Sequence, residues 1–169
     1  RAVFDDYLGR GITRWARRWL ANGGLVIDVG ANIGQTVCFF AGLPKTRVVA
    51  IDPNPVCIAW IQECLEWYTA WDVQLSNCGL SDEPGELELY VPDFQGEEGA
   101  QATLRADWYV NRAKQAIRVP VARLDDLLQS DDRVRLWKLD VEGWEHKVLE
   151  GARDALMSGR VEALFAEVH

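Results

Sequence analysis

The sequence predicts an α/β fold, a doubly wound and mostly parallel sheet that carries an inserted antiparallel hairpin. Short apolar runs rich in β-branched residues, typical of buried parallel strands, alternate with segments in which apolar residues recur at helical spacing. The first two runs, at 24–28 and 46–52, each end in an aspartate followed by turn residues. The length of 169 residues fits one domain, and a hydrophobic content of 49% can form a sizeable core.

The net charge and the cysteine content indicate which binding partners and which cellular compartment to expect. The formal net charge of −8 disfavours nucleic acid, because its phosphates repel an acidic surface. The cysteines Cys38, Cys57, Cys64 and Cys78 form no Cys-x-x-Cys pair, and with two histidines they complete no zinc set. We therefore expect free thiols, a reducing and cytoplasmic location, and no metal. No signal peptide or membrane span is visible, although the sequence starts at Arg1.

A helical segment at 1–22 precedes the main domain, which we place at 23–169. Apolar residues fall near one side of residues 4–21, which predicts an amphipathic helix. The glycines after it, Gly23 and Gly24, are typical of a helix end.

A strand, a glycine turn and a helix follow one another over residues 24–41, an order that builds nucleotide sites. Gly30 can take backbone angles closed to other residues, and Gly34 lets the start of the helix pack closely. Asp28 ends the strand, where a carboxylate can face a ligand, and the first N–H groups of the helix point above the strand end. A tight connection without any ligand is the alternative.

Asp52 ends the second strand at close to the ~20-residue spacing at which an acid meets ribose hydroxyls in Rossmann-like units. The dinucleotide fingerprint needs a middle glycine where the pyrophosphate approaches, but Asn32 occupies that place. No Walker-type Gly-Lys-Ser/Thr is present either. A nucleoside with a charged amino-acid tail fits better, and this describes S-adenosylmethionine.

The next segments predict a helix and a third strand. Asn54 is suited to cap the helix, with proline at its first position. Residues 71–75 predict the third strand, and 76–82 the loop at its end, where Asn77 and Cys78 should line the adenine side of the cofactor. Three tryptophans in this region occupy core-like positions in the pattern: Trp60, Trp67 and Trp71.

The second half of the chain predicts a hairpin and two more parallel strands. Residues 86–91 and 117–121 alternate polar and apolar side chains, typical of an antiparallel pair, with an acidic loop after the first. Asp125 is expected to cap a short helical turn at 125–129. The fourth and fifth parallel strands are predicted at 135–141 and 161–168, joined by one helix that ends at Ser158-Gly159.

Two stretches resemble signatures of the FkbM family of class I S-adenosylmethionine-dependent methyltransferases. Residues 28–34, Asp-Val-Gly-Ala-Asn-Ile-Gly, resemble the cofactor loop, and residues 138–145, Lys-Leu-Asp-Val-Glu-Gly-Trp-Glu, with 148–152 resemble the second signature. Segments 77–82 and 123–128 lie where the family has similar ones. The resemblance implies a Rossmann-like methyltransferase fold and O-methylation of a hydroxyl on a sugar, polyketide or similar metabolite. The cofactor-binding residues that we expect are Asp28, Gly30, Ala31, Asn32, Gly34, Asp52, Pro53, Asn77 and Cys78.

Methyl transfer to an alcohol requires a base, which must lie near the carboxyl ends of the central strands. Asp140 and His169 are the candidates, and Glu142 and Glu167 are close to them. Each also has a structural alternative, Asp140 as a helix cap and His169 as part of a polar strand end. Asp140 and Glu167 could hold a hard cation, but no third ligand is evident.

Two other functions remain open at this stage, a nicotinamide-dependent oxidoreductase and a cofactor-binding module without catalysis. We expect a small-molecule hydroxyl acceptor and neither a nucleic acid nor a membrane as partner. Methyltransferases of this fold usually carry further strands after the fifth, so we expect the chain to be incomplete at its carboxyl end. The exposed fifth strand would favour pairing into a homodimer.

Overall fold

A computed structural model of the protein describes residues 10–92, 102–105 and 113–167. The strands are β1 (Gly24–Val29), β2 (Thr46–Ile51), β3 (Asp72–Ser76), β4 (Gly79–Leu80), β5 (Gly85–Pro92), β6 (Ala113–Ala122), β7 (Val134–Leu139) and β8 (Leu164–Ala166). The helices are α1 (Arg10–Trp19), α2 (Gln35–Ala41), α3 (Pro55–Glu66), α4 (Leu124–Leu127), α5 (Glu145–Glu150) and α6 (Arg153–Met157). None of the helices in these ranges combines the length and the apolarity needed to cross a bilayer.

Five parallel strands form the main sheet in the order β3-β2-β1-β7-β8. The chain moves outward from β1 to β3 and then continues on the other side of β1 with β7 and β8. This is a doubly wound α/β sheet, as the sequence predicts, with its switch point between β1 and β7. Ligands of such sheets bind at the carboxyl ends of the strands beside this point.

Helices cover both faces of the main sheet, so alternate residues of β1 enter different cores. Val26 packs with α1, α2 and α3 through residues such as Ala16, Val37 and Ile61. Ile27 and its neighbours on the opposite face pack with α4, α5 and α6 in a second buried cluster. Burial on both faces explains why β1 reads as a continuous apolar run rather than an alternating one.

The inserted hairpin belongs to a second sheet of three strands, in the order β4-β6-β5. Strands β5 and β6 pair antiparallel, as predicted. The prediction of a loop throughout 76–82 was wrong, because Gly79 and Leu80 form strand β4 and pair in parallel with β6. Leu80 is buried in the core beside the main sheet, so this short strand connects the two sheets. Most of the predicted acidic loop lies outside the described residues.

The single helix predicted up to Ser158 is two helices, α5 and α6, with a break between them. A Cβ atom at Gly151 would lie 2.0 Å from the Ser81 carbonyl oxygen, so the chain approaches another loop there as only glycine can. The predicted fifth strand is limited to β8 within the described residues, with an isolated bridge at Val161 before it. The predicted helix at 4–21 is α1 from Arg10 onward, and residues 1–9 lie outside the described ranges.

The core positions predicted for two tryptophans were wrong. Trp60 and Trp67 are 55% and 83% exposed, whereas Cys57 and Ile61 form the buried side of α3. Trp60 and Trp67 lie seven positions apart, about two helical turns, and therefore share one side of the helix. Trp71 is half-buried and packs against the core.

Candidate active site

A cleft opens where strands β1, β2 and β7 of the main sheet end. Gly30, Asp52 and Asp140, which follow these three strands, all line it. Leu89 of β5 and Leu104 close it from the side of the small sheet. The two sheets thus form one concave site at the switch point, where the sequence predicts a ligand.

The glycine loop after β1 contains two left-handed glycines, and Asn32 between them is left-handed as well. Gly30 has a φ of +73°, and a Cβ atom there would lie 1.7 Å from the Asp140 carbonyl oxygen. Gly34 has a φ of +88° at the N-cap of α2, and a Cβ atom there would lie 2.8 Å from Cγ1 of Ile61 in α3. The close approach that Gly34 permits is therefore to a neighbouring helix. Ala31 is buried behind the loop, outside the cleft lining.

Asp52 is fixed by two backbone donors at the edge of the cleft. The N–H groups of Asn32 and Asn54 donate to its two carboxylate oxygens, each at 2.8 Å. Burial raises the pKa of Asp52 to about 6, although these two hydrogen bonds act in the opposite direction. The Asn54 side chain accepts from the N–H of Val56 and caps α3, as predicted. The carboxylate is therefore preorganised between the glycine loop and α3.

Three further residues of the predicted cofactor site, Pro53, Asn77 and Cys78, divide into two groups. Pro53 and Cys78 line the cleft beside Asp52. Asn77 does not, because its side-chain amide donates to the backbone carbonyls of Asp52 and Pro53, at 3.0 and 3.1 Å. Asn77 thus supports the turn after β2 from the end of β3.

Asp28 lies beneath the glycine loop and does not reach the cleft. Its side chain has no exposed surface; one oxygen accepts from the Thr36 hydroxyl of α2, and the other lies 3.5 Å from the Lys138 ammonium. Burial raises the pKa of Asp28, against the effect of Lys138. In this structure Asp28 ties the end of β1 to the start of α2.

Asp140 lies in the loop after β7 and borders the cleft with a side chain that is 22% exposed. Its backbone N–H donates to the Val29 carbonyl at 3.1 Å, which extends the pairing of β1 and β7 by one residue. Glu142 and Trp144 of the same loop also line the cleft. Because α5 begins only at Glu145 and its N-cap is Trp144, Asp140 is not a helix cap. Asp140 is therefore a partly exposed carboxylate at the border of the cleft.

The structure describes Glu167 but not His169, the other candidate for the base. His169 lies outside the described residues. Glu167 is exposed, and its N–H donates to the Leu139 carbonyl beside β7. Within residues 10–92, 102–105 and 113–167, no group of three His, Cys, Asp or Glu side chains is placed to hold a metal ion.

Sequence reasoning missed two parts of the site. The segment 102–105 closes the cleft, with the Thr103 hydroxyl donating to the Glu142 carbonyl at 2.8 Å. Its place depends on an isolated bridge between Thr103 and Tyr90, which no local pattern shows. Lys138 was also missed, although a lysine in the otherwise apolar second half of a buried strand is a detectable signal.

Comparisons with known proteins identify the family of this chain. The Methyltransferase FkbM domain family matches residues 28–169. "Methyltransferase 1" of Beauveria bassiana is 31% identical over 149 residues, which cover 76% of this chain and 58% of that protein. "31-O-demethyl-FK506 methyltransferase FkbM" of Streptomyces tacrolimicus is 30% identical over 198 residues, covering 100% of this chain and 73% of that protein.

A third relative, "Hexuronic acid methyltransferase AglP" of Haloferax volcanii, is 27% identical over 144 residues, covering 84% of this chain and 54% of that protein. The chain thus spans little more than half the length of the first and third of these relatives. The family match extends over the glycine loop, Asp52, Asp140 and the elements that position them. From this match we conclude that the chain belongs to the FkbM methyltransferase family.

Proposed function

We propose that the protein binds S-adenosylmethionine in the cleft and transfers its methyl group to a hydroxyl of a sugar, polyketide or similar small metabolite. The observation that carries this proposal is the convergence of Asp52 and Asp140 on one cleft, beside a glycine loop with Asn32 at its centre. A carboxylate suits a ribose diol, whereas the loop lacks the central glycine typical of diphosphate sites. The family membership supports the same chemistry.

The lining of the cleft fits the two ends of this cofactor. Pro53, Leu80 and Leu89 provide apolar surface suited to a purine ring. Asp52 lies between this surface and the glycine loop, where its free lone pairs can accept from hydroxyl groups. The carboxylate of Asp140 also borders the cleft and suits a positively charged group. The combination of apolar and acidic residues in the cleft lining therefore supports a nucleoside with a charged tail.

The protein's part in the reaction is placement and proton removal. When bound, S-adenosylmethionine supplies an electrophilic methyl group on a sulfonium. Asp140 is our candidate for the base that accepts the hydroxyl proton, because it is the partly exposed carboxylate after the central strand β7. His169 remains the second candidate. The names of two relatives, a 31-O-demethyl-FK506 methyltransferase and a hexuronic acid methyltransferase, support an oxygen acceptor.

Calorimetric titration with S-adenosylmethionine, S-adenosylhomocysteine and NAD tests the cofactor. We expect the first two to bind and NAD not to bind. Asp52→Asn should weaken both affinities by roughly tenfold or more, because hydrogen bonds to a charged group contribute about 1.5–3 kcal/mol. Asp126→Asn, a change at an exposed aspartate outside the cleft lining, is the matched control and should leave both affinities unchanged.

Binding of NAD alone would contradict the proposal and favour an oxidoreductase. Binding of S-adenosylmethionine without transfer of its labelled methyl group to any of a panel of hydroxylated sugars and polyketides would favour a module without catalysis. Loss of affinity in the Asp126 control as great as in Asp52→Asn would remove the assignment of Asp52 to the site.

A further inference from the structure

Lys138 carries its ammonium inside the protein, directly behind the cleft. It lies on β7 in the middle of the main sheet, where it is the register partner of Asp28 on β1, and its side chain is only 7% exposed. Burial of a lysine is unfavourable unless its ammonium finds partners. The contacts of this side chain therefore indicate what the sheet gains from it.

The ammonium contacts three acceptors that belong to different parts of the site. It donates to the Gly30 carbonyl at 2.8 Å, and lies 3.3 Å from Asp140 Oδ2 and 3.5 Å from Asp28 Oδ1. The contact with Gly30 is a hydrogen bond, and the contacts with the two carboxylates are ion pairs. One side chain thus connects the glycine loop, the carboxylate that borders the cleft and the carboxylate beneath it.

The contact with Lys138 gives the Asp140 side chain a charged partner on β7. The backbone of Asp140 is held by Val29, but its side chain projects to the partly exposed edge of the cleft. The contact with Gly30 holds the loop that packs against the Asp140 carbonyl. Both groups line the cleft.

We infer that Lys138 is a positioning residue, which holds the Asp140 carboxylate and the Gly30 carbonyl in the arrangement that binds S-adenosylmethionine. It acts through these two groups and does not itself line the cleft. The inference rests on the proposed function, since it assigns Asp140 and the glycine loop to the site of that cofactor.

A purely structural role makes a different prediction. In that case Lys138 would serve only to neutralise Asp28, which is fully buried. Removing the lysine alone cannot separate the two roles, because it leaves the Asp28 carboxylate buried without this counter-charge and destabilises the fold. Removing both charges separates them, because a neutral pair of similar shape restores stability without restoring the contacts to Asp140 and Gly30.

The test compares Asp28→Asn with the double variant Asp28→Asn/Lys138→Met. In thermal unfolding of the ligand-free proteins, the double variant should have a higher melting temperature than Lys138→Met alone. Calorimetry should show that the double variant binds S-adenosylmethionine roughly tenfold more weakly than Asp28→Asn does, the loss expected for a charged hydrogen bond. Equal affinities of these two variants would overturn the inference and leave Lys138 as a neutralising residue.

Asp140→Asn provides a second test that leaves Asp28 and Lys138 paired, and it applies even if the double variant fails to fold. Because Lys138 acts through Asp140, this variant should also bind S-adenosylmethionine roughly tenfold more weakly than the unsubstituted chain. Full affinity in Asp140→Asn would overturn the inference. Failure of the proposed function has a distinct signature, since the unsubstituted chain would then bind neither S-adenosylmethionine nor S-adenosylhomocysteine, and the inference would fall with it.

Discussion

Asp52 makes the stability of this protein depend on pH in an unusual direction. Burial raises its pKa from 3.8 to about 6, so between these values the folded chain binds a proton that the unfolded chain releases. The stability associated with this proton is fully present below about pH 4 and is lost as the pH rises through about 6. Most carboxylates in ion pairs act in the opposite direction.

We therefore expect the free energy of unfolding of the native chain, relative to Asp52→Asn, to increase as the pH falls from about 7 to about 4. The difference should change by about 3 kcal/mol, since one pKa unit corresponds to about 1.4 kcal/mol. Urea denaturation of both proteins at a series of pH values measures it, and the subtraction removes the contribution of other groups. A difference that does not vary with pH would show that Asp52 titrates normally.

The residues of the site differ in how far the sequence could reveal their roles. The positive φ of Gly30 and the place of Asp52 at the cleft follow from local pattern, a glycine after a strand and an acid after the next one. The burial of Asp28 does not, because it depends on the pairing of β1 with β7 far along the chain. That pairing sets Lys138 opposite Asp28 and turns a predicted ligand contact into an internal ion pair.

At the scale of elements, Asp125 links two helices that are distant in sequence. The prediction that it caps its own helical turn was wrong, because α4 has Arg123 at its N-cap with no side-chain cap bond. The Asp125 carboxylate accepts instead from the N–H groups of Asp154 and Ala155, at 2.9 and 2.8 Å, in the first turn of α6. It thus caps α6 from outside and connects the segment after β6 to that helix.

Asp125→Ala should lower the free energy of unfolding by about 1–2 kcal/mol, the usual contribution of a helix cap. Urea denaturation measures the change. Asp126→Ala is the matched control, since this neighbouring aspartate is exposed, and it should stay within about 0.5 kcal/mol of the native chain. Equal effects of the two substitutions would show that the cap contributes nothing specific.

Helix α3 shows that hydrophobic periodicity predicts the presence of a helix better than it predicts which side of the helix is buried. The pattern of α3 identified a helix, and its N-cap at Asn54 was predicted and is confirmed. The same pattern offered two apolar sides, and it could not indicate that Trp60 and Trp67 face outward. The break between α5 and α6 is set by Gly151 meeting the Ser81 loop, which is a tertiary contact.

At the scale of the whole molecule, the cleft is lined by two sheets that have no strand in common. The main sheet contributes the ends of β1, β2 and β7, while the other side consists of Leu89 in the small sheet and the segment 102–105, which is bridged to that sheet. The sequence predicts the main sheet from its apolar runs, but the return of 102–105 to the cleft rests on pairing across a long connection. Occupation of the cleft should therefore couple the two sheets.

Hydrogen exchange can detect this coupling. The N–H groups of Thr103 and Tyr90 bond to each other's carbonyls, at 3.1 and 2.9 Å, in the bridge that holds the segment over the cleft. Saturation with S-adenosylhomocysteine should slow their exchange, because a ligand between the sheets opposes local opening of this segment. The internal control is α1, whose Trp19 indole N–H donates to the Arg135 carbonyl near the start of β7, at the opposite end of that strand from the cleft.

Exchange in α1 should slow much less than exchange at the bridge, because α1 lies away from the cleft. This difference distinguishes direct contact with the ligand from stabilisation of the whole domain. Equal slowing at both places would mean that the ligand stabilises the whole domain without engaging the small sheet. Slowing confined to the glycine loop, which includes Asn32, would mean that the main sheet alone holds the cofactor. In that case the small sheet would not contribute to cofactor binding. Recognition of the methyl acceptor would be its remaining role at the cleft.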